Sequence, residues 1–210
     1  LPGPKGADGQ TPYFHTAWSY SADGTDRFTT VYPNLNLLDG TRDFSGDWLY
    51  HEYWENDGTY KGLTVKKRTY PWWGIGKVFI AQKDGTYTFS AYVISSGNNG
   101  NITRIVDLNG ESKNSLIRYF SKNFDWTRDS FTVTMKAKDT IFVRYEIRGS
   151  APDAILWTAG HKWEEGSVDT PWTPSESEVT TDDYPKYIGQ YTNYMEVDSP
   201  NPQDYTWSLI

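Results

Sequence analysis

The stretch from Asp84 to Ser96 alternates large apolar side chains with small or polar ones, and this alternation constrains the fold most strongly. A period of two is typical of a β-strand, and the aromatic and β-branched residues that fill it favour a strand as well. Tyr92 lies on the polar face, and we expect it to contact a ligand. The opposite face is predicted to join a core, with Tyr87, Phe89, Ala91 and Val93.

Short segments of the same kind recur through the middle of the chain, and no long segment there shows helical periodicity. Turn sequences such as Asn109-Gly110 and Lys138-Asp139 separate most of them. Many short strands at this spacing predict an all-β sandwich or barrel. The predicted strands are Leu63–Thr69, Gly76–Gln82, Tyr87–Ser95, Ile102–Leu108, Ser130–Ala137, Thr140–Arg148 and Ile155–Trp163.

Two aromatic-rich segments, residues 12–33 and 184–210, flank this middle region, and neither can bury much surface alone. We expect them to pair as a small discontinuous β unit, with residues 34–177 inserted between them and residues 178–183 as a linker. Residues 1–11 carry three Gly-x-y triplets, a collagen-like pattern that is too short to hold a triple helix by itself. This segment is either a plain linker or the end of a longer spacer, which would imply a trimeric parent protein.

The net charge of -7 argues against nucleic acid or an anionic membrane as partner, because each requires a basic surface. The absence of Cys excludes disulfides, thiolate catalysis and zinc–thiolate sites. The sequence contains neither an apolar run of transmembrane length nor a signal peptide. Its 10 Trp and 16 Tyr leave two interpretations open, aromatic-rich core strands or an aromatic binding face.

The predicted strand Thr140–Arg148 places Phe142, Arg144 and Glu146 on one face. That face is either a solvated surface or a groove in which Arg144 and Glu146 bind a polar ligand while Phe142 or Tyr92 stacks on it. Flat aromatics beside planar hydrogen-bonding groups suit a ligand that has both apolar faces and polar edges. The predicted ligand-binding residues are Tyr70, Trp72, Trp73, Tyr92, Phe142, Arg144, Glu146 and, from the aromatic loop Trp48–Lys61, Trp54.

Several phrases of the sequence resemble a jelly-roll carbohydrate-binding module. The module is the type found on tail and baseplate proteins of phages that infect Gram-positive, lactic-acid-type bacteria. The flanking segments resemble the small β unit of the same proteins. These phrases are Asn34–Leu38, Gly85–Ser90, Ala159–Gly166 and Thr170–Pro174 in the module, and Tyr13–His15, Ser21–Gly24, Tyr187–Thr192 and Tyr205–Trp207 in the flanks.

The resemblance implies an all-β chain, in which a jelly-roll β-sandwich is inserted into the small β unit. It implies binding of host cell-wall polysaccharide, a place on the virion tail tip or baseplate at the host surface, and other tail or baseplate proteins as partners. Modules of this kind often hold a structural Ca²⁺. Here Asp39 and Asp43 lie in the loop before the first strands, but His161 and Lys162 stand where an acidic ligand is expected. Calcium therefore stays unassigned, and no other cofactor or metal is predicted.

The acidic pairs Glu164-Glu165 and Asp182-Asp183, and Asp57, could be proposed as glycosidase carboxylates, but none of them lies in a catalytic motif. We therefore predict a binding protein and no enzyme. Two alternatives remain open at this stage, a purely structural tail spacer and a polysaccharide depolymerase.

Overall fold

A computed structural model describes residues 11–149 and 152–210 of the chain. The predicted collagen-like segment, residues 1–11, lies outside the described residues except for Thr11. The described chain is all β, as the sequence predicts, and its helical content is limited to short 3-10 turns. None of these turns has the length or the hydropathy to cross a bilayer.

The strands in these ranges follow in chain order, and the 3-10 turns lie between them. The strands are β1 (Tyr13–Ser19), β2 (Glu55–Tyr60), β3 (Leu63–Arg68), β4 (Val78–Ile80), β5 (Gly85–Ser96), β6 (Asn101–Leu108), β7 (Glu111–Ser112), β8 (Arg118–Tyr119), β9 (Phe124–Met135), β10 (Thr140–Arg148), β11 (Ile155–Glu165), β12 (Tyr187–Asn193) and β13 (Thr206–Leu209). The 3-10 turns are His51–Tyr53, Asn114–Leu116, Thr181–Asp183 and Pro202–Asp204.

The chain folds into two compact units. One unit is Asn34–Thr180, and the other combines Thr181–Ile210 with the described part of Leu1–Pro33. The first unit is therefore inserted, in sequence, between the two segments of the second.

The Asn34–Thr180 unit contains two antiparallel sheets. We call the sheet with strand order β2-β3-β11-β5-β9 sheet I. We call the sheet with order β4-β10-β6-β7, in which β8 also pairs with β6, sheet II. The two sheets form a jelly-roll β-sandwich, the fold predicted from the sequence.

Side chains of alternating parity fill the core between the sheets. The face of β5 that the sequence assigns to the core is buried, and β10 contributes a matching buried face from sheet II. Trp163 on β11 is fully buried, and its ring stacks on Phe79 with centroids 5.1 Å apart. Burying a large apolar side chain contributes about 1.5–3 kcal/mol, so these rows hold the two sheets together. The rows are Tyr87, Phe89, Ala91 and Val93 on β5, and Ile141, Val143, Tyr145 and Ile147 on β10.

Strand β2 lies inside the segment that the sequence predicts to be an aromatic loop, so the prediction is wrong there. The strand sequence is polar, Glu-Asn-Asp-Gly-Thr-Tyr, and almost all of it is exposed. It is an edge strand that pairs with β3 alone, and its register shifts between Asn56 and Thr59. An edge strand that buries neither face has no apolar alternation, which is why the sequence pattern does not reveal it.

The second unit is a three-stranded antiparallel sheet in the order β1-β12-β13. Its packing depends on glycine, because a Cβ added at Gly189 would lie 2.9 Å from the Trp207 ring. Gly24 has a φ of +77°, and its Cβ position lies 2.1 Å from the same ring. The indole of Trp207 thus packs directly against the backbone at both glycines.

Candidate functional site

A groove of about 480 Å³ lies along β10, and its floor is the outer face of sheet II. We call it the β10 groove. Its lining brings together aromatic, aliphatic and charged side chains from β10, β6, β4 and the loops beside them. The residues that line it are Leu49, Tyr50, Trp72, Trp73, Val78, Asp107, Gly110, Thr140, Ile141, Phe142, Arg144 and Glu146.

The polar floor of the groove is formed by alternate residues of β10. Phe142, Arg144 and Glu146 alternate along β10 with core residues, so their side chains share the opposite face of the strand. The structure puts all three beside Trp72 and Trp73. Of the two interpretations of this face, the groove therefore describes its geometry better than a flat solvated surface does.

The segment Tyr70–Gly74 forms one wall, and a buried guanidinium holds it in place. Arg68 donates hydrogen bonds to the carbonyl oxygens of Tyr53 at 2.8 Å, Pro71 at 3.1 Å and Trp72 at 3.3 Å. Because Arg68 is buried, these bonds are shielded from water and fix the path of the segment.

Two further contacts hold the same segment. The indole nitrogen of Trp54 donates to the Trp73 carbonyl oxygen at 2.8 Å. Gly74 passes so close to β10 that an added Cβ would lie 2.5 Å from the Tyr145 carbonyl oxygen. The wall is therefore fixed both to the core and to the floor of the groove.

Both tryptophans of this wall are held in the left-handed backbone region, with φ of +62° at Trp72 and +58° at Trp73. This conformation costs a residue other than glycine about 1–2 kcal/mol. With the backbone in this conformation, Trp72 and Trp73 are 45% and 47% exposed. Backbone strain of this kind persists where the surrounding structure over-determines it, and it concentrates at ligand sites.

Other aromatic rings extend the wall. The Trp73 ring lies 5.2 Å from Tyr50 and 5.3 Å from Tyr53, measured between centroids. Tyr50 in turn approaches Phe142 on the groove floor at 6.3 Å. These edge and tilted contacts fix the ring orientations and leave part of the Trp73 indole open to solvent.

The polar centre of the groove is an ion-pair cluster around Arg144. Its Nε donates to Glu146 at 2.7 Å, and its Nη1 donates to the carboxylate of Asp107 on β6. Burial disfavours the charge on Arg144, but the hydrogen bonds to Glu146 and Asp107 outweigh it and raise the pKa of the guanidinium. The guanidinium also lies 5.3 Å above the Phe142 ring. The groove thus combines fixed donors and acceptors with flat rings.

The remaining predicted site residues lie elsewhere. Trp54 belongs to the core and acts on the groove only through its bond to the Trp73 carbonyl. Tyr70 is the first residue of the wall segment, but it is exposed and does not line the groove. Tyr92, at 7% exposure, lies on β5 in sheet I and packs beside Arg128, whereas Arg144 lies in sheet II. Parity gives the face of a strand but not the sheet to which it belongs, so the expectation that Tyr92 adjoins Arg144 is corrected.

Asp107 and Tyr50 are groove residues that the sequence does not single out as ligand contacts. Asp107 reaches Arg144 because β6 pairs with β10 in a register that sets Asp107 opposite Phe142. Tyr50 lies in the aromatic loop segment, which carries a general signal for binding but no signal for this residue. Only the strand pairing of the folded chain reveals the contact between Asp107 and Arg144.

The residues that the resemblance would place at a calcium site do not fit that ion. Lys77 Nζ donates to the Asp39 carbonyl oxygen at 3.0 Å, and the Asp39 carboxylate accepts from Ser177 at 3.1 Å. On β11, Lys162 Nζ lies 3.5 Å from Glu164 Oε2, and both side chains are fully buried. Two ammonium groups therefore stand beside the oxygen atoms that Ca²⁺ would need. Residues 11–149 and 152–210 contain no cluster of three or more His, Asp or Glu that could hold a metal ion.

The chain also has a distant likeness to solved carbohydrate-binding modules. Two of these structures are the CBM22-1 xylan-binding domain from Paenibacillus barcinonensis Xyn10C and TmCBM61 in complex with β-1,4-galactotriose. The first is 11% identical, covers 55% of this chain and 81% of that chain, and gives a TM-score of 0.40. The second is 11% identical, covers 63% and 100%, and gives a TM-score of 0.45. These distant likenesses carry no argument about a ligand.

Over nearly its whole length, the chain is similar to a phage baseplate component. The solved structure of the tripod from the baseplate of bacteriophage Tuc2009 covers 97% of this chain and 79% of that chain, with 26% identity and a TM-score of 0.64. This likeness confirms the predicted resemblance to phage tail and baseplate proteins. No protein-family model matches the chain, and no curated protein matches it.

Proposed function

We propose that the Asn34–Thr180 unit binds a saccharide of the host cell wall in the β10 groove. The observation that carries the proposal is the strained, pinned pair Trp72 and Trp73 beside the Arg144 cluster. An aromatic ring offers a flat surface to the C–H face of a pyranose, while a guanidinium and carboxylates bind its hydroxyls. A groove lined by rings, with a few fixed polar groups, suits such a ligand.

The likeness to the Tuc2009 baseplate tripod supports a place for the protein on a phage tail or baseplate. Saccharide binding there would assist host recognition and adsorption, with other tail or baseplate proteins as partners. The Gly-x-y triplets in residues 3–11 favour a trimeric parent protein. Several copies of a weak site on one virion would raise the overall avidity without any new contact.

The polar cluster favours binding over catalysis. Glycoside hydrolysis requires one carboxylic acid that can give up a proton beside a second carboxylate. Asp107 and Glu146 both accept hydrogen bonds from the same guanidinium of Arg144, an arrangement that neutralises charge and positions groups. We therefore propose a module without enzymatic activity.

The test is binding of the fluorescently labelled chain to intact host cells and to purified cell-wall polysaccharide. We expect the variant with Trp72→Ala and Trp73→Ala to bind at least about tenfold more weakly, because exposed Trp residues commonly dominate binding energy. Tyr119→Ala is the control, since Tyr119 is an exposed aromatic residue, more exposed than either tryptophan, that does not line the groove.

Three outcomes would contradict the proposal. Equal binding by the double variant and the parent chain would show that the groove is not the site. Correct folding without binding to any host strain would favour a structural spacer. Release of reducing ends from purified wall polysaccharide would identify a depolymerase instead.

A further inference from the structure

The charged side chains that line the β10 groove are two carboxylates, Asp107 and Glu146, and one guanidinium, Arg144. Arg144 is already paired with both carboxylates. Its side chain is 19% exposed, and that of Glu146 is 8% exposed, so water screens these charges weakly. Among the described residues that line the groove, the cluster therefore holds no cation in excess of its carboxylates.

The hydrogen-bonding capacity of this cluster is mixed. Arg144 uses Nε and Nη1 for the two carboxylates, and the hydrogen bonds of the described residues leave Nη2 available as a donor. Asp107 and Glu146 each retain oxygen lone pairs that can accept further hydrogen bonds. A complementary ligand must both donate and accept within a few ångströms.

A hydroxyl group does both, and neighbouring hydroxyls on a pyranose ring present donors and acceptors side by side. A phosphate diester or a uronate carboxylate only accepts, so it would direct lone pairs and negative charge at Asp107 and Glu146. Like charges brought together across an interface disfavour the wrong ligand. An anionic group would also have to displace a carboxylate from Arg144 before it could bind there.

Another cation borders the groove, where it packs on the Trp72 wall and does not line the groove itself. The guanidinium of Arg148 lies 5.2 Å from the centroid of the Trp72 ring, in a cation–π contact. This contact helps to orient the indole, and Trp72 remains 45% exposed beside it. Arg68, behind the same wall, donates to three backbone carbonyls and is buried.

From these contacts we infer that the β10 groove selects an uncharged saccharide, one whose ring edge carries neighbouring hydroxyls and no phosphate or carboxylate. The inference rests on the proposed function, because it specifies the ligand class of the same groove. It places the ring face on Trp72 and Trp73 and the hydroxyl edge on Asp107, Arg144 and Glu146.

The test is a glycan array that pairs uncharged oligosaccharides with counterparts carrying phosphate or uronate groups on the same backbone. We expect the parent chain to bind the uncharged member of a pair at least about tenfold more strongly. Binding should also stay unchanged between about 50 and 500 mM NaCl, since no charged ligand is screened.

Charge-neutralising variants give the second measurement. In Glu146→Gln and Asp107→Asn an amide replaces a carboxylate, and we expect each to bind the uncharged glycan at least about tenfold more weakly. Asp107 is the more exposed of the two, so Asp107→Asn keeps the test valid if Glu146→Gln does not fold. Asp182→Asn, at a well-exposed carboxylate of the other unit, is the matched control.

The outcomes separate this inference from the proposed function. Stronger binding to the anionic members, or stronger binding by Glu146→Gln and Asp107→Asn, would overturn the inference alone. Loss of binding in the Trp72 and Trp73 double variant would still support the groove in that case. Absence of binding to every member of the array would overturn both.

Discussion

The outer faces of the two sheets both carry aromatic rings and guanidinium groups, yet they use them in opposite ways. On sheet I, Tyr60 stacks on Trp126 with centroids 4.1 Å apart and planes within 12°, and both rings pack against the buried Tyr92 cluster. On sheet II, Trp72 and Trp73 keep much of their surface in solvent. The proposed binding face is therefore the one whose aromatic residues keep much of their surface in solvent.

The polar groups differ in the same way. On sheet I, Arg128 lies 4.7 Å above the Tyr92 ring, and its Nη2 donates to Ser90 at 2.7 Å. On sheet II, Arg144 lies at the bottom of a groove with both carboxylates beside it. On sheet II the two exposed aromatic residues, Trp72 and Trp73, themselves carry the positive φ, whereas Tyr60, Tyr92 and Trp126 on sheet I do not. We therefore call the outer face of sheet I, where the aromatic rings pack against one another, the closed face. We call the outer face of sheet II, where Trp72 and Trp73 remain exposed, the displayed face.

The largest expected effect comes from Arg68→Met, which removes the donor that pins the displayed wall. The carbonyls of Tyr53, Pro71 and Trp72 then lose their shared partner. We expect the free energy of unfolding to fall by about 3 kcal/mol, because hydrogen bonds to charged groups contribute about 1.5–3 kcal/mol and the site is buried. Saccharide binding should fall with it, as measured by denaturant titration and glycan binding on the same samples.

Lys67→Met is the matched control for Arg68→Met, since the neighbouring residue projects from the opposite face of β3 and pairs with the exposed Asp57. We expect Lys67→Met to leave both measurements nearly unchanged. If Arg68→Met retained full binding, the groove would not depend on its pinned wall.

His161 lies in the core that supports both faces, and it makes the stability of the folded chain depend on pH. The two faces can be compared only in the pH range where the chain stays folded. Burial among aromatic rings lowers its pKa to about 3, whereas an unfolded histidine titrates near about 6.5. The folded state therefore binds fewer protons between these pH values. This contribution to stability is complete above about pH 6.5 and is lost as the pH falls through that window.

We expect the free energy of unfolding to decline by up to about 1.4 kcal/mol per pH unit below pH 6, measured by urea titration. A His161→Gln variant should show a shallower slope over the same range, since glutamine does not titrate. Equal slopes in the two proteins would show that His161 is not the group responsible.

The sequence predicts a strand and its core face well where one face of the strand is buried. It predicts a strand poorly where neither face is buried. The alternation in β5 and β10 correctly separates core side chains from outer ones, because burial enforces it. It does not place β5 and β10 in different sheets, which is why Tyr92 and Arg144 are expected together and lie apart. The strained wall is equally hidden, since no sequence pattern records a positive φ at two tryptophans.

The closed and displayed faces should respond differently to the loss of one indole. Trp126→Ala removes a stacked partner from sheet I, where aromatic pairs contribute about 0.5–1.5 kcal/mol beyond the area they bury. We expect a fall in the free energy of unfolding of about 2 kcal/mol with saccharide binding intact. Trp73→Ala should show the converse, a small change in stability with a large loss of binding.

Thermal unfolding and glycan binding of Trp126→Ala and Trp73→Ala, measured in parallel, check this contrast. A loss of saccharide binding in Trp126→Ala would mean that the sheet I face also contacts the ligand. That result would break the distinction between a closed face and a displayed one.

The smallest expected effect isolates the strain itself, through Trp72→Gly against Trp72→Ala. Both variants remove the indole and should bind saccharide equally poorly. Glycine ordinarily makes a protein less stable than alanine, because it loses more conformational freedom on folding. At a φ of +62° the order should reverse, because alanine keeps the left-handed penalty and glycine does not.

We expect the free energy of unfolding of Trp72→Gly to be about 1 kcal/mol higher than that of Trp72→Ala, as measured by urea titration. An alanine variant as stable as the glycine variant would show that the wall relaxes once the indole is gone, so that the strain serves the display of the ring alone.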